Sequence, residues 1–397
     1  MSSLASLVAC LRRASIIAPR TPDLGEGYEG TTDLAKADAI LIRASDIHGM
    51  DFPATLRCIA RSGAGVNNIP IDECAHRGIV VFNAPGGNSN AVKELVVGLI
   101  LVNSRGTMQG MRWVRANEED PAITKGAEAA KKAFVGREAI GRKVAVVGLG
   151  AVGSKIANAL VDLGMDVYGY DPYLSVQHAW ELSHRVRRVD NLDALCENAD
   201  YLTVHVPSKD DTIHMISDEQ LSHLNDGAML LNYARADIVD EKAVDAALRS
   251  HKLGLFATDF ATPATVHMPR TLITPHMGAC TVEAEQNCAH MAISEMKDYL
   301  ELGTIRNSVN YPDLDMGPCR SASRFAVLHA NVPNMISQIT AVLSPSASNI
   351  ERMSNEAAGP NAYTLVDIDK PLDVQTIQAL RAIKSVWKVR VIKDDGE

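Results

Sequence analysis

Short apolar runs separated by amphipathic stretches recur along most of this chain. Residues 37–43 (ADAILIR), 79–82 (IVVF) and 143–147 (KVAVV) are near-continuous apolar segments, as strands covered on both faces of a parallel sheet require. Further strands are expected at 165–170, 201–206, 228–232, 255–258 and 272–274. Residues 88–105 have the length and apolar density of a buried helix opening from a polar cap. Alternating strands and helices predict an α/β fold with parallel sheets. At 311–323 (YPDLDMGPCRSAS) the pattern breaks into a Pro- and Ser-containing stretch that reads as a linker. Beyond it a strand at 324–330 precedes a helix with Met335, Ile336, Ile339, Val342 and Leu343 on one face. Strands at 349–356 and 362–369 follow, then a helix carrying Val374, Ile377, Leu380 and Ile383, then a strand at 386–392. That order predicts a ferredoxin-like module.

Composition narrows the possibilities. The 397 residues suit two to three domains, and 46% hydrophobic against 22% charged residues is ample for buried cores. Lys and Arg total 39 against 48 Asp and Glu, a formal charge of 39 − 48 = −9, which argues against a general nucleic-acid partner. The longest apolar run, 95–102, falls far short of the roughly 20 residues of a membrane span. Seven cysteines, odd in number and without a CxxC pair, point to a reducing, cytoplasmic setting rather than a disulfide scaffold or a metal site. Cys280 reads as a small buried thiol near a helix start. Residues 1–20 hold Arg12, Arg13 and Arg20 with no acidic residue, as some targeting peptides do; the alternative is a first strand at 14–18 and its loop.

The sharpest motif is Gly148-Leu149-Gly150-Ala151-Val152-Gly153, which follows an apolar strand and opens a helix carrying Ile156, Leu160 and Val161. Gly148 would allow the tight turn, Gly150 the close approach of a pyrophosphate, and Gly153 close packing of helix on strand. The helix N-terminus adds free N–H donors and partial positive charge for the phosphates. Asp171 ends the next strand, 21 residues after Gly150, where a carboxylate accepts ribose hydroxyls and repels a 2′-phosphate. NAD is therefore expected over NADP.

Two further segments sit at strand ends. Arg235, in Asn232-Tyr233-Ala234-Arg235, supplies a guanidinium for a bidentate grip on a carboxylate. His276, in Thr274-Pro275-His276-Met277-Gly278-Ala279, supplies a proton donor for a carbonyl oxygen. Hydride exchange with a 2-keto or 2-hydroxy acid needs both.

With these motifs, and with Arg61-Ser62-Gly63-Ala64-Gly65-Val66-Asn67-Asn68 and Asn90-Ala91-Val92-Lys93-Glu94-Leu95, the sequence resembles the D-isomer-specific 2-hydroxyacid dehydrogenases. The resemblance implies two Rossmann-like domains: a split substrate domain (1–88 and 280–310) and an NAD domain (89–279). It implies that Arg235 binds the substrate carboxylate and that His276 is the acid/base. Ala151 and Val152 would meet the pyrophosphate, Tyr233, Ala234 and Asp259 the nicotinamide side, with Met277, Gly278 and Ala279 completing the cofactor segment. Arg43 and Arg61, with Ser62 and Gly63, match positions used near a substrate phosphate, so a phosphorylated hydroxy acid is expected. Rival readings are a dehydrogenase of an unphosphorylated acid such as glyoxylate or hydroxypyruvate, and a non-catalytic NAD(H) sensor.

One departure bears on the chemistry. The family usually places a glutamate shortly after the position of Asp259 to hold the catalytic histidine, yet no Glu occurs between Glu241 and Glu283. Loss of that charge partner predicts an altered pH profile, or a carboxylate supplied from elsewhere.

The tail, 320–397, resembles an ACT domain, through Leu328-His329-Ala330-Asn331-Val332-Pro333-Asn334-Met335 and Ser348-Asn349-Ile350. The resemblance implies an amino-acid effector, L-serine, held by His329, Asn331 and Asn349; the alternative is a ligand-free dimerisation module. Asn334 stands where glycine is common, and asparagine tolerates a left-handed backbone. A homo-oligomer is implied by both resemblances.

Overall fold

The computed structural model describes residues 15–17, 24, 27–31, 33–346 and 348–395. The targeting-peptide reading of the first residues lies outside them, apart from the short strand Ser15–Ile17. The chain divides into two compact units, one of residues up to Gly87 and from Glu285 onward, the other Asn88–Ala284.

The second unit is built on seven parallel strands. Their order is Thr271–Ile273, Leu253–Thr258, Ala228–Asn232, Tyr201–Val204, Lys143–Val147, Asp166–Tyr170, Arg187–Arg188. The first strand in sequence, Lys143–Val147, pairs with both Asp166–Tyr170 and Tyr201–Val204. Strand order therefore reverses there, and the glycine loop leaves the carboxyl end of that strand, where open α/β sheets bind ligands. The central strands are mostly apolar because helices cover both faces. Val144, Val146, Ile156 and Leu160 pack on one side, and Ala145, Val147, Leu230 and Leu248 on the other. The helix expected at 88–105 is Ser89–Ser104. The short helices Thr107–Ala116 and Ile123–Ala130, which the sequence reading did not name, bury no residue.

In the first unit, five parallel strands run in the order Glu29–Gly30, Ser15–Ile17, Ala39–Ile42, Cys58–Arg61, Val80–Phe82. The register Ile42↔Arg61 brings the ends of the third and fourth strands side by side. The helix Val282–Leu302 packs on this sheet.

The C-terminal series forms the antiparallel order Ile350–Ala358, Asn361–Ile368, Ser323–Ala330, Val386–Asp394, in a strand–helix–strand–strand–helix–strand sequence. It does not stand apart as a third compact unit. Its two central strands are buried at nearly every position, where a half-solvated antiparallel sheet would alternate. Phe325, Val327, Val366 and Ile368 face the helices Met335–Leu343 and Val374–Ala382. Ala326, Leu328, Tyr363 and Leu365 share a core with Phe82, Tyr299 and Tyr311.

Charged side chains fix this junction. Arg324 and Asp367 are fully buried and paired through two hydrogen bonds, Nε to Oδ1 at 2.6 Å and Nη2 to Oδ2 at 2.8 Å. Arg324 Nη1 also donates to the Leu302 carbonyl at 2.9 Å. Arg390 lies 4.2 Å over the Tyr299 ring and donates to the carbonyls of Tyr299 and Leu300, both at 3.2 Å. Two arginines of the C-terminal sheet thus donate to carbonyls at the C-terminal end of Val282–Leu302.

Candidate active site

Three glycines shape the nucleotide loop in different ways. Gly148 has φ +84°, and a Cβ there would lie 2.7 Å from the His205 carbonyl oxygen. A Cβ on Gly153 would sit 1.8 Å from the Gly148 carbonyl oxygen, so the helix Gly153–Asp162 meets the loop at a distance only glycine permits. At Gly150 a Cβ meets nothing within 4 Å, which leaves open space against bare backbone. Asp171 ties the loop to the neighbouring strand: Oδ2 accepts from the Leu149 N–H and Oδ1 from the Tyr173 N–H, both at 2.9 Å. Ala151 and Val152, half-exposed, lead into the helix. These features fit a dinucleotide: a tight turn, an open approach at Gly150, and a carboxylate at the second strand's end.

The sequence reading missed His205, which sits against Gly148 and Gly153. Burial pushes its imidazole down to about 3, so the ring is neutral. One ring nitrogen contacts Thr203 Oγ1 at 2.8 Å, while Nδ1 is buried without a partner. No motif position flagged it, because a lone histidine after a buried strand looks like any other.

Arg235 projects from a loop that the buried Asn232 pins. The Asn232 amide donates to the Arg235 carbonyl at 2.8 Å and accepts from the Ala234 N–H at 3.2 Å. The Arg235 side chain is exposed and its guanidinium donates to the Ala234 carbonyl at 2.6 Å. Among the described residues it meets no carboxylate. Tyr233 beside it is buried, which raises its hydroxyl to about 12 and keeps it protonated.

Asp259, 3% exposed, spends its carboxylate on the 274–278 loop. Oδ1 accepts from Thr274 Oγ1 and from the Met277 N–H at 2.7 Å, and Oδ2 from the Gly278 N–H at 2.7 Å. The Asp259 carbonyl accepts from the His276 N–H at 3.0 Å. Gly278 fits because a Cβ would come within 3.0 Å of Asp259 Oδ2. This clamp holds His276 at φ +56°, an uncommon backbone state for a non-glycine residue. Ala279 is half-buried, and Met277, 48% exposed, points outward.

The His276 ring is exposed and, among the described residues, has no carboxylate partner. Its neighbour is the Phe260 ring, edge to face at 5.4 Å. Glu241, the last glutamate before the gap, receives a hydrogen bond from Thr262 Oγ1 at 2.7 Å. Cys280 is exposed, not buried, because the loop turns outward before the helix begins; its thiol faces the His276 carbonyl at 3.7 Å.

In the first unit the two candidate phosphate arginines converge. Arg61 Nε donates to the Arg43 carbonyl at 3.0 Å, and its guanidinium lies over Gly63, where a Cβ would be 2.5 Å from Nη1. The Ser62 N–H donates to the Ile42 carbonyl at 2.8 Å, joining the two strand ends. Arg43 also meets Glu285 at 2.6 Å, a contact nothing in the sequence announced.

In the C-terminal module His329, Asn331, Asn334 and Asn355 line an open cavity of about 220 Å³ at the start of the helix Met335–Leu343. Asn334 takes φ +70°, the left-handed state that its replacement of glycine requires. His329 contacts Thr364 Oγ1 at 2.9 Å, and that hydroxyl donates to Asn355 at 2.7 Å. Asn349 does not join them. Its neighbour Ile350 pairs with Ile368, while Asn355 pairs with Thr364 and His329 with Ala362, so Asn349 lies at the far end of the sheet.

Comparison with known proteins agrees with this geometry. Residues 97–278 match the family described as D-isomer specific 2-hydroxyacid dehydrogenase, NAD binding domain. The chain belongs to the D-isomer specific 2-hydroxyacid dehydrogenases, and its Asn88–Ala284 unit carries their NAD-binding domain. Among its relatives, the D-3-phosphoglycerate dehydrogenase of Escherichia coli is 30% identical over 83% of this chain and 79% of its own length. That of Methanocaldococcus jannaschii is 31% identical over 79% of this chain, which spans 59% of that longer protein. A solved NAD+-bound 3-phosphoglycerate dehydrogenase of Entamoeba histolytica superposes with a TM-score of 0.55 at 26% identity, covering 71% of this chain and 84% of that one. No helix among the described residues is long and apolar enough to cross a membrane.

Proposed function

We propose that this protein oxidises D-3-phosphoglycerate to 3-phosphohydroxypyruvate with NAD, the first step of phosphorylated serine biosynthesis. The observation that carries the reading is Arg235, an exposed guanidinium at the carboxyl end of the nucleotide sheet that meets no carboxylate among the described residues. A substrate carboxylate fills that role with a bidentate grip. NAD, when bound, supplies the acceptor for the hydride of the substrate's C2. His276 takes the hydroxyl proton as the carbonyl forms, and returns one in the reverse direction. Arg43 and Arg61 take the phosphate.

The C-terminal module is read as an ACT-type sensor whose effector is L-serine. Polar donors and acceptors from His329, Asn331 and Asn355 around one cavity suit a zwitterion. Exposed Met111, Val114, Val135 and Ile140 in the nucleotide unit support a homo-oligomer, and six described cysteines without disulfides support a cytoplasmic setting.

The test is NADH oxidation with 3-phosphohydroxypyruvate beside hydroxypyruvate, glyoxylate and pyruvate, with and without serine. A strong preference for the phosphorylated acid is expected. Equal or better turnover of an unphosphorylated acid would move the protein to another branch of the family; NADH binding without turnover of any would make it a sensor.

A further inference from the structure

We propose that Glu285 is a built-in counter-ion of the substrate-phosphate arginines, and that it sets how strongly the enzyme prefers a phosphorylated substrate. The proposal rests on the assignment of Arg43 and Arg61 to the phosphate and adds a residue to that site.

Arg43 and Arg61 stand at adjacent strand ends, and a carboxylate engages Arg43. Arg43 Nη1 lies 2.6 Å from Glu285 Oε1, in the first turn of the helix Val282–Leu302. Both side chains are about half-exposed, 44% and 49%, so the pair is open to an incoming anion. Arg61 is held beside it through its bond to the Arg43 carbonyl.

Glu285 is placed there by close packing. Cys288, one turn further along the same helix, is buried against Gly87: a Cβ on that glycine would lie 2.8 Å from Cys288 Sγ and 3.1 Å from its backbone. The Cys288 thiol lies within the influence of both Arg43 and Arg61, so the helix face bearing residues 285 and 288 lies along the arginine pair. That contact packs the helix against Gly87 one turn beyond Glu285.

The charge balance has a consequence for specificity. Glu285 offsets positive charge that Arg43 would present to a phosphate dianion. The dianion must displace Glu285 from Arg43 or bind with a like charge beside it; an unphosphorylated hydroxymethyl group faces neither contest. Glu285 therefore narrows the advantage of the phosphorylated substrate.

The experiment compares wild type with Glu285→Gln in NADH oxidation on 3-phosphohydroxypyruvate and hydroxypyruvate, at low and high salt. The variant's ratio of kcat/KM for the phosphorylated over the unphosphorylated substrate should rise about three- to tenfold at low salt, through a lower KM for the phosphorylated one. High salt should compress the gain. An unchanged ratio in a folded variant overturns the proposal, and so does a raised KM, which would mean that Glu285 orients Arg43 for the phosphate. Titration of inorganic phosphate by calorimetry gives a readout independent of turnover: tighter binding by Glu285→Gln supports the proposal, equal binding overturns it. Wild type turning over only unphosphorylated acids would instead refute the functional reading, and the phosphate titration would still decide the part played by Glu285.

Discussion

Glu295 offers a direct test of the energetics of the first unit. It lies in the middle of the helix Val282–Leu302 and is 6% exposed. One carboxylate oxygen accepts from the Asn307 amide at 2.7 Å, and the other is buried without a partner. Burial pushes its carboxyl up from 4.5 to about 8; like charge from Asp313 and Asp298 adds to the rise, and the Asn307 hydrogen bond opposes it. Between those two values the folded protein holds a proton that the unfolded chain has released. Stability from this group is therefore full below 4.5, falls as pH rises through that window, and is lowest above 8. The span is 8 − 4.5 = 3.5 pH units, an upper bound on the order of 5 kcal/mol at about 1.36 kcal/mol per unit. Water entry and side-chain relaxation bring the expected cost to about 1–3 kcal/mol. Glu295→Gln keeps the shape and the Asn307 bond and removes the charge. Thermal melts of both proteins from pH 5 to pH 9 should coincide at the acid end and diverge at the alkaline end. There the variant should melt roughly 3–10 °C higher, taking about 2–4 °C per kcal/mol for a unit of this size. Parallel curves across the whole range, or a variant less stable at pH 9, would refute the reasoning.

Two further outcomes follow from close contacts. Asp367→Asn leaves Arg324 charged in the core and should cost about 3–5 kcal/mol in urea unfolding, while Arg324→Met with Asp367→Leu should recover most of it. Gly153→Ala places a methyl 1.8 Å from the Gly148 carbonyl oxygen and must push the helix off the loop, so NADH affinity by fluorescence titration should fall at least about tenfold while the first unit melts unchanged.

The parallel sheets and the glycine loop were legible because their signals are local. A strand buried on both faces reads as a near-continuous apolar run, a turn at φ +84° favours glycine, and a helix start whose Cβ would lie 1.8 Å from a carbonyl oxygen must be glycine. The burial of both faces of the C-terminal sheet was not legible, for a physical reason. Residues 363–366 show alternation on paper, Tyr and Leu against Thr and Val, and alternation reads as a sheet with one wet face. In the structure all four are buried, Thr364 satisfied by His329 and Asn355. The polar face is covered because its hydroxyl has partners, and those partners lie far apart in sequence. Arg324 and Arg390 hide for the same reason: a charged residue in a strand reads as surface until the carbonyls of a distant helix end are seen to receive it. Asn334 is the opposite case, since its left-handed backbone follows from its own chemistry.

The missing glutamate carries the most weight for the reaction. Asp259 divides its carboxylate between the Met277 and Gly278 N–H groups and Thr274, so what it fixes is the backbone of the loop. The ring of His276 is oriented by the edge of Phe260, an apolar contact that gives direction without charge. Phe260 is held in turn from behind: its carbonyl accepts from Thr265 Oγ1 at 3.1 Å, Thr265 bonds the Thr262 N–H at 2.8 Å, and Thr262 bonds Glu241. The Glu241 carboxylate is therefore spent three hydrogen bonds from Phe260, on the loop that carries the aromatic ring. Orientation and charge stabilisation of the histidine, joined in one side chain where the glutamate is present, are here separated, and only orientation is kept.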